Sequence, residues 1–185
     1  MRQEGFTLVE LVVVVGIIGI LLTIALMEYG KMQQKAAIEG QARTVYSKLV
    51  EVRSDAMYTK TARTVTISGN QMNIFPGSVT TVAPTSIIQL GLPMVTNPSS
   101  GEVDYNDQGL MQSADIAICV QPDSSGSNPG YIDSVVVSTV RTYMGKRKTG
   151  AACESGNIDQ KSRRLHAGGT QGCHDHRGGR HVRRA

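Results

Sequence analysis

The feature that most constrains this 185-residue chain is an apolar run close to its N-terminus. Residues 6–27 contain a single charged residue, Glu10, and nearly all the others are aliphatic or glycine. A helix of these 22 residues is about 33 Å long, which is enough to cross the hydrocarbon core of a bilayer. The run therefore predicts a transmembrane helix over residues 6–27.

The residues in front of this run differ from an ordinary secretory signal. Such a signal has a small-residue cleavage site after its apolar stretch. Here the polar residues MRQEG come first and end in Gly5. Arg2, placed before the span, keeps this end in the cytoplasm by the positive-inside rule, so everything after the helix is exported. The sequence predicts a leader over residues 1–5 and a single-pass membrane protein.

Glu10 lies among aliphatic residues inside the predicted span. Placing a lone carboxylate in lipid costs about 2.5–3.5 kcal/mol, so Glu10 should have a cationic partner. The span contains no Lys or Arg, so this partner must come from elsewhere. The alternative is that Glu10 reaches the cytoplasmic interface by snorkelling.

After Met27 the sequence becomes polar but keeps a helical period. Apolar residues recur at steps of four and three, which predicts an amphipathic half of the helix over residues 28–60 that lies on a sheet. The whole helix is predicted from Thr7 to Tyr58. The apolar stripe consists of Ile38, Ala42, Val45, Leu49, Val52 and Ala56.

Residues 61–155 are rich in β-branched residues and turn formers, which predicts a β-rich globular domain. A hairpin is indicated at residues 68–70, between two of the strand candidates. One long helix followed by antiparallel strands gives the α+β class. The strand candidates are Arg63–Ile67, Gln71–Phe75, Ser86–Leu90, Ile116–Val120 and Ser134–Thr142.

The string GFTLVE, from Gly5 to Glu10, followed by an apolar helix, resembles the class III signal of type IV pilins and type II secretion pseudopilins. The resemblance implies a pilin-like fold and a prepilin peptidase that cleaves after Gly5 and methylates the new N-terminus, Phe6. Glu10 is then the fifth residue of the mature chain. The resemblance implies that its carboxylate pairs with the methylated amine of a neighbouring subunit and sets the register of assembly.

The same resemblance implies partners and a location. The partners are the prepilin peptidase, other pilin or pseudopilin subunits and the inner-membrane assembly platform. The location is the bacterial inner membrane, with the N-terminus cytoplasmic and the C-terminal domain periplasmic, followed by a filament after assembly.

The order of features in the β-rich part is similar to that of the GspH/FimT group of minor pseudopilins and minor pilins. It comprises a strand around Cys119, a polar loop over Pro122–Gly130, a Val-rich strand over Val135–Ser138 and a basic segment over Gly145–Lys148. This resemblance implies a minor subunit at or near the filament tip, in a complex that primes assembly.

Three cysteines lie in the part of the chain that should be exported, where oxidation is permitted. Three pairings are open in principle, and one cysteine is always left over. Cys119 with Cys153 is favoured because both lie in or beside the predicted domain, whereas Cys173 lies in the tail. The alternative is that none of them is paired.

Charge is strongly segregated along the chain. Residues 64–140 contain no Lys or Arg and six acidic residues, whereas residues 141–185 contain eleven Lys or Arg and three acidic residues. Some FimT-type minor pilins bind DNA through a GRxR motif, which Gly145, Lys146, Arg147 and Lys148 resemble in the form G-K-x-K. Lys lacks the bidentate fork of Arg, so such binding would be nonspecific and salt-sensitive. The simpler interpretation is a solvated basic surface.

A looser match, Gly179 with Arg180 and Arg183, lies in the tail of residues 156–185. This tail is dominated by Arg, His and Gly and is predicted to be disordered. Cys173, His174, Asp175 and His176 in the tail are potential metal ligands, but adjacent ligands lack the spacing of a structural zinc site, so no metal or cofactor is predicted.

Catalysis has little support. No His occurs outside the tail, and there is no GxSxG elbow or phosphate-binding glycine loop, so the chain is predicted not to be an enzyme. Three hypotheses follow: a filament subunit, a DNA receptor on the same scaffold, and a membrane-anchored periplasmic protein that never polymerises.

Overall fold

The structure is a computed structural model that describes residues 7–121 and 128–161. Its described part consists of one long helix, seven strands and a one-turn 3-10 helix over Ser155–Asn157. The elements are α1 (Leu8–Thr59), β1 (Arg63–Phe75), β2 (Ser86–Asn97), β3 (Glu102–Tyr105), β4 (Ile116–Val120), β5 (Ser134–Val137), β6 (Thr142–Arg147) and β7 (Ile158–Gln160).

Helix α1 begins and ends within one residue of the predicted positions. Its N-cap is Thr7, whose hydroxyl accepts a hydrogen bond from the Glu10 amide at 3.3 Å. Its C-cap is Lys60, which adopts the left-handed conformation with a φ of 54°. All six residues of the predicted apolar stripe are at most 5% exposed, namely Ile38, Ala42, Val45, Leu49, Val52 and Ala56.

The strands form one antiparallel sheet in the order β3-β1-β2-β4-β5-β6-β7. The apolar stripe of α1 packs on one face of this sheet, together with buried residues such as Val65, Met72 and Ile118. This arrangement confirms the predicted α+β, pilin-like fold. β4 is buried on both faces, because Ala117 and Cys119 pack in a second cluster on the side away from the helix.

A disulfide in this second cluster joins Cys119 to Cys153, with an S–S distance of 1.99 Å. These are the two cysteines that are expected to pair from their position in or beside the domain. The bond closes a loop across a sequence separation of 34 residues. In the chain-entropy model, a cross-link that closes a loop of this length lowers the entropy of the unfolded chain. It thereby stabilises the folded state by about 4 kcal/mol. The third cysteine, Cys173, lies outside the described residues.

β1 spans both of the first two predicted strands. Arg63 Nη1 donates a hydrogen bond to the Pro76 carbonyl at 2.7 Å, so the two ends of β1 lie close together. Thirteen extended residues would span about 40 Å, so β1 must double back. The reversal falls at Gly69, whose φ of 55° suits glycine, and therefore lies within the predicted hairpin.

β2 is longer than the predicted strand, which ends at Leu90. Its pairing with β1 shifts between Gln89 and Met94, so residues 90–93 bulge out of the ladder. The side chain of Gln41 provides hydrogen-bond partners for the backbone of this bulge. Its Oε1 accepts a hydrogen bond from the Leu92 amide at 2.6 Å, and its Nε2 donates one to the Leu92 carbonyl. The prediction stopped too early because a tertiary contact from α1 supplies the missing backbone partners.

The single strand predicted over Ser134–Thr142 is wrong. The chain reverses between β5 and β6, where the Ser138 amide donates to the Arg141 carbonyl at 2.8 Å. The reversal converts one Val-rich stretch into two paired strands, in which Val137 faces Thr142.

The predicted tail begins too early. Residues 156–161 belong to the fold, because β7 pairs with β6 and Ile158 is buried against the disulfide cluster. A single apolar residue among polar neighbours gives too weak a pattern to predict such a strand. Residues 162–185 lie outside the described part of the chain.

Candidate assembly site

The first part of α1 projects beyond the domain. Among the described side chains of α1, the first buried one is Ile38, so about 45 Å of helix precedes it. The large apolar side chains between Leu8 and Leu22 are 48–79% exposed. Within the described residues, α1 is the one helix long and apolar enough to cross a membrane. This surface must be covered by lipid or by other helices.

Glu10 lies in the first turn of this projecting helix. Its side chain lines a shallow surface pocket together with Leu11, Val14 and Val15. In the described part of the chain no ion pair includes Glu10. A carboxylate in such apolar surroundings needs a cation supplied by another molecule or by residues beyond the described part. Gly5 and Phe6 lie outside the described residues.

The basic segment Gly145–Lys148 does not form one exposed patch. Gly145 lies where β6 and β7 approach closely, since a Cβ at this position would lie 2.3 Å from the Ile158 side chain. The Lys146 ammonium lies 3.1 Å from Oδ2 of Asp133, a carboxylate whose side chain is only 1% exposed. It also donates to the Asn128 carbonyl. Both residues therefore have structural roles within the domain.

Arg147 and Lys148 differ in exposure. Arg147 is 8% exposed, and its backbone amide donates to Asp133 Oδ1 at 2.9 Å. Lys148 is exposed, and its ammonium donates to the Gly156 carbonyl at 3.4 Å. Sequence alone could not show this difference, because the buried acid that binds the segment, Asp133, lies thirteen residues before Lys146, just in front of β5.

The remaining candidate residues belong to the C-terminal tail. Cys173, His174 and His176, and the looser basic match Gly179, Arg180 and Arg183, lie outside the described residues. Across residues 7–121 and 128–161, no three His, Cys, Asp or Glu side chains cluster in a way that could hold a metal ion.

Residues 1–26 match the prokaryotic N-terminal methylation motif. The fold is similar to that of the type IV minor pilin FimU of Pseudomonas aeruginosa strain PAO1. For a crystal form in space group P21 the TM-score is 0.51 at 13% identity, covering 63% of this chain and 95% of that chain. For a form in space group P65 the TM-score is 0.48 at 16% identity, covering 63% and 99%. No curated protein matches this chain.

The chain therefore combines a prepilin-type methylation motif at its N-terminus with a pilin-like fold. The solved structure that this fold resembles is that of a minor pilin. The apolar helix that begins within the motif is long enough to cross a membrane.

Proposed function

We propose that this chain is a minor pilin or pseudopilin that assembles into a type IV pilus or a type II secretion pseudopilus. In this proposal, a prepilin peptidase cleaves between Gly5 and Phe6 and methylates Phe6. Before assembly, the mature subunit resides in the inner membrane with its domain in the periplasm. It then joins other subunits at or near the filament tip, in a complex that primes assembly, as the GspH/FimT resemblance implies.

The observation that carries the proposal is the methylation motif on a helix whose apolar half is exposed. Glu10 follows the predicted cleavage site by five residues and has no ion-pair partner among the described residues. A neighbouring methylated amine would neutralise this carboxylate in an apolar setting, where an ion pair is strengthened by the low dielectric. A neighbouring subunit that was shifted along the filament axis would leave Glu10 without a cation. The ion pair would therefore favour one axial position of the two subunits.

The alternative, DNA binding through Gly145–Lys148, receives less support from the geometry. Lys146 is paired with Asp133, and Arg147 is buried. Lys148 is the exposed cation of this segment. One exposed Lys is a small electrostatic footprint, since nonspecific DNA binding depends on the number of phosphates neutralised.

The test combines mass spectrometry of the mature N-terminus with substitution of Glu10. We expect a chain that starts at methylated Phe6. We expect Glu10→Gln to insert into the membrane normally and to lose incorporation into filaments at least tenfold, because the amide cannot form the ion pair.

Glu28→Gln is the matched control. Glu28 lies on the same helix, is exposed and forms a surface pair with Lys31 at 3.0 Å, so this variant should assemble normally. A native protein that begins at unmodified Met1, or a Glu10→Gln variant that assembles as well as Glu28→Gln, would overturn the proposal.

A further inference from the structure

One end of the domain faces the membrane and carries basic and aromatic side chains that assembly through Glu10 does not use. The direction of α1 identifies this end. The predicted span ends at Met27, and the first buried residue, Ile38, lies about 17 Å further along the helix. Parts of the domain that contact α1 near Ile38 are therefore those nearest the bilayer.

The loop that precedes β5 lies at this end. Glu39 Oε1 accepts a hydrogen bond from the Tyr131 amide at 2.8 Å, and the Lys35 ammonium lies 4.9 Å from the centre of the Tyr131 ring. The Tyr131 side chain remains largely in solvent, with the residue 70% exposed. An exposed Tyr beside a Lys just above a membrane span is typical of an interfacial anchor.

β6 brings a further lysine to the same end. Burial raises the pKa of Tyr105, whereas Thr142, the first residue of β6, and Arg53 of α1 lie near enough to lower it in part. Arg53 lies about 39 Å beyond Met27 along the helix. Near the other end of β6, Lys146 donates to the carbonyl of Asn128, three residues before Tyr131. β6 therefore runs toward the bilayer, and the exposed Lys148 follows its last residue.

Three of the acidic groups near this end already have partners. Asp133 is paired with Lys146 at 3.1 Å. Glu39 accepts from Tyr131 and lies 3.6 Å from Arg43. Glu28 pairs with Lys31, but both side chains are about 70% exposed, so this contact is weak and exchangeable. Two further acids, Glu154 and Asp159, are exposed in or just before the strand that pairs with the end of β6, and they lower the net positive charge beside Lys148.

Lys31, Lys35, Tyr131 and Lys148 constitute what we term the membrane-facing collar. Lys31 and Lys35 lie about 6 and 12 Å beyond Met27 along the helix. Helical side chains tilt toward the N-terminus, which here is toward the bilayer. At physiological salt the Debye length is about 8 Å, so these cations experience the surface potential of anionic lipid.

We propose that the membrane-facing collar docks the domain on anionic phospholipid headgroups before the subunit enters a filament. This inference rests on the proposed membrane topology. Continuity with the span favours a lipid surface over a free polyanion, because the span holds the collar beside the headgroups at high effective concentration. Docking would hold the domain in one orientation and would be released as α1 leaves the bilayer.

The chain contains no Trp, so Tyr131→Trp provides a single fluorescent reporter within the collar. The full chain is placed in nanodiscs of phosphatidylcholine with or without phosphatidylglycerol, and headgroup-labelled lipid quenches the reporter. We expect stronger quenching when phosphatidylglycerol is present. Lys31→Gln combined with Lys148→Gln should lower the ratio of docked to undocked domain about 30-fold, since each lysine contributes about fivefold near an anionic surface. Lys35 is kept because it contacts the reporter.

The matched control is Lys48→Gln combined with Lys60→Asn. Lys48 pairs with Glu51 at 2.7 Å, as Lys31 does with Glu28, but lies about 20 Å beyond Lys35. Asn tolerates the positive φ of Lys60. This control should leave quenching unchanged.

Equal quenching in nanodiscs with and without phosphatidylglycerol would overturn the docking proposal. An equal decrease in quenching in the two double variants would also overturn it. Lys148-dependent retention of duplex DNA on discs without phosphatidylglycerol, with no response to that lipid, would overturn it in favour of a nucleic-acid surface. A chain that fails to enter nanodiscs would instead overturn the membrane span on which the proposed function depends.

Discussion

Replacing Lys146 with Ala is expected to destabilise the domain, although sequence alone places this residue on the surface. The Lys146 ammonium lies 3.1 Å from Asp133 Oδ2, and the two side chains are 23% and 1% exposed. Asp133 Oδ1 accepts hydrogen bonds from Ser134 Oγ at 2.8 Å and from the Arg147 amide at 2.9 Å. The substitution therefore leaves a buried carboxylate with two hydrogen bonds but without its cation.

The magnitude follows from this geometry. Removing one partner of a buried ion pair costs about 3–5 kcal/mol. Because Lys146 keeps part of its side chain in water and Asp133 keeps two hydrogen bonds, we expect a smaller loss of about 2–3 kcal/mol. A domain of this size loses about 2–4 °C in Tm per kcal/mol, so the expected decrease in Tm is about 4–12 °C.

The assay is thermal and urea unfolding of the chain from residue 28 onward, followed by circular dichroism. Lys148→Ala removes an exposed lysine next to the same strand and should change the stability by less than about 0.5 kcal/mol. Asp133→Asn, alone and with Lys146→Ala, completes a double-mutant cycle with an expected coupling of about 1–3 kcal/mol. If Lys146→Ala and Lys148→Ala were equally stable, the buried-pair argument would be refuted.

Two further predictions concern residues on α1 and β3. Gln41→Ala should lower the free energy of unfolding in urea by about 2–4 kcal/mol, because it leaves the amide and the carbonyl of Leu92 without partners. Gln34→Ala, a substitution at an exposed position of the same helix, should leave the stability unchanged. A similar effect of the two changes would contradict this role. Burial raises the pKa of Tyr105 above its usual 10.0, so the folded state retains a proton that the unfolded state loses, and stability falls as the pH rises past about 10. Tyr105→Phe should remove part of this alkaline loss and Tyr58→Phe, at a 90% exposed position, should not; identical pH profiles for the two variants would exclude the effect.

The sequence predicts α1 and its packing well because long-range periodicity is a strong signal. Ile38, Leu49 and Ala56 are buried as the stripe requires, and β4 has the predicted bounds. The short strands β3 and β7 were missed, since three or four residues carry no reliable period. β2 was truncated because its bulge depends on Gln41, which lies some fifty residues earlier in the sequence.

The candidate site was predictable only where its chemistry is local. The methylation motif and Glu10 occupy one continuous segment, so the sequence contains the whole pattern. The basic segment is different, because the role of Lys146 depends on Asp133, which lies thirteen residues earlier and directly before β5. Composition describes both as charged residues and does not reveal that they pair.

The exposed apolar surface of α1 between Leu8 and Leu22 bears on the energetics of filament growth. Lipid tails and neighbouring aliphatic helices are similarly nonpolar, so exchanging one for the other releases little hydrophobic free energy. Small polar contributions then decide the direction of exchange, and relieving an unpaired Glu10 is worth about 2.5–3.5 kcal/mol. Under the proposed function, a subunit that met an unoccupied amine would be retained, and one that did not would return to the bilayer. Polymerisation through such a helix would therefore reject subunits at the wrong axial position without requiring an additional proofreading protein.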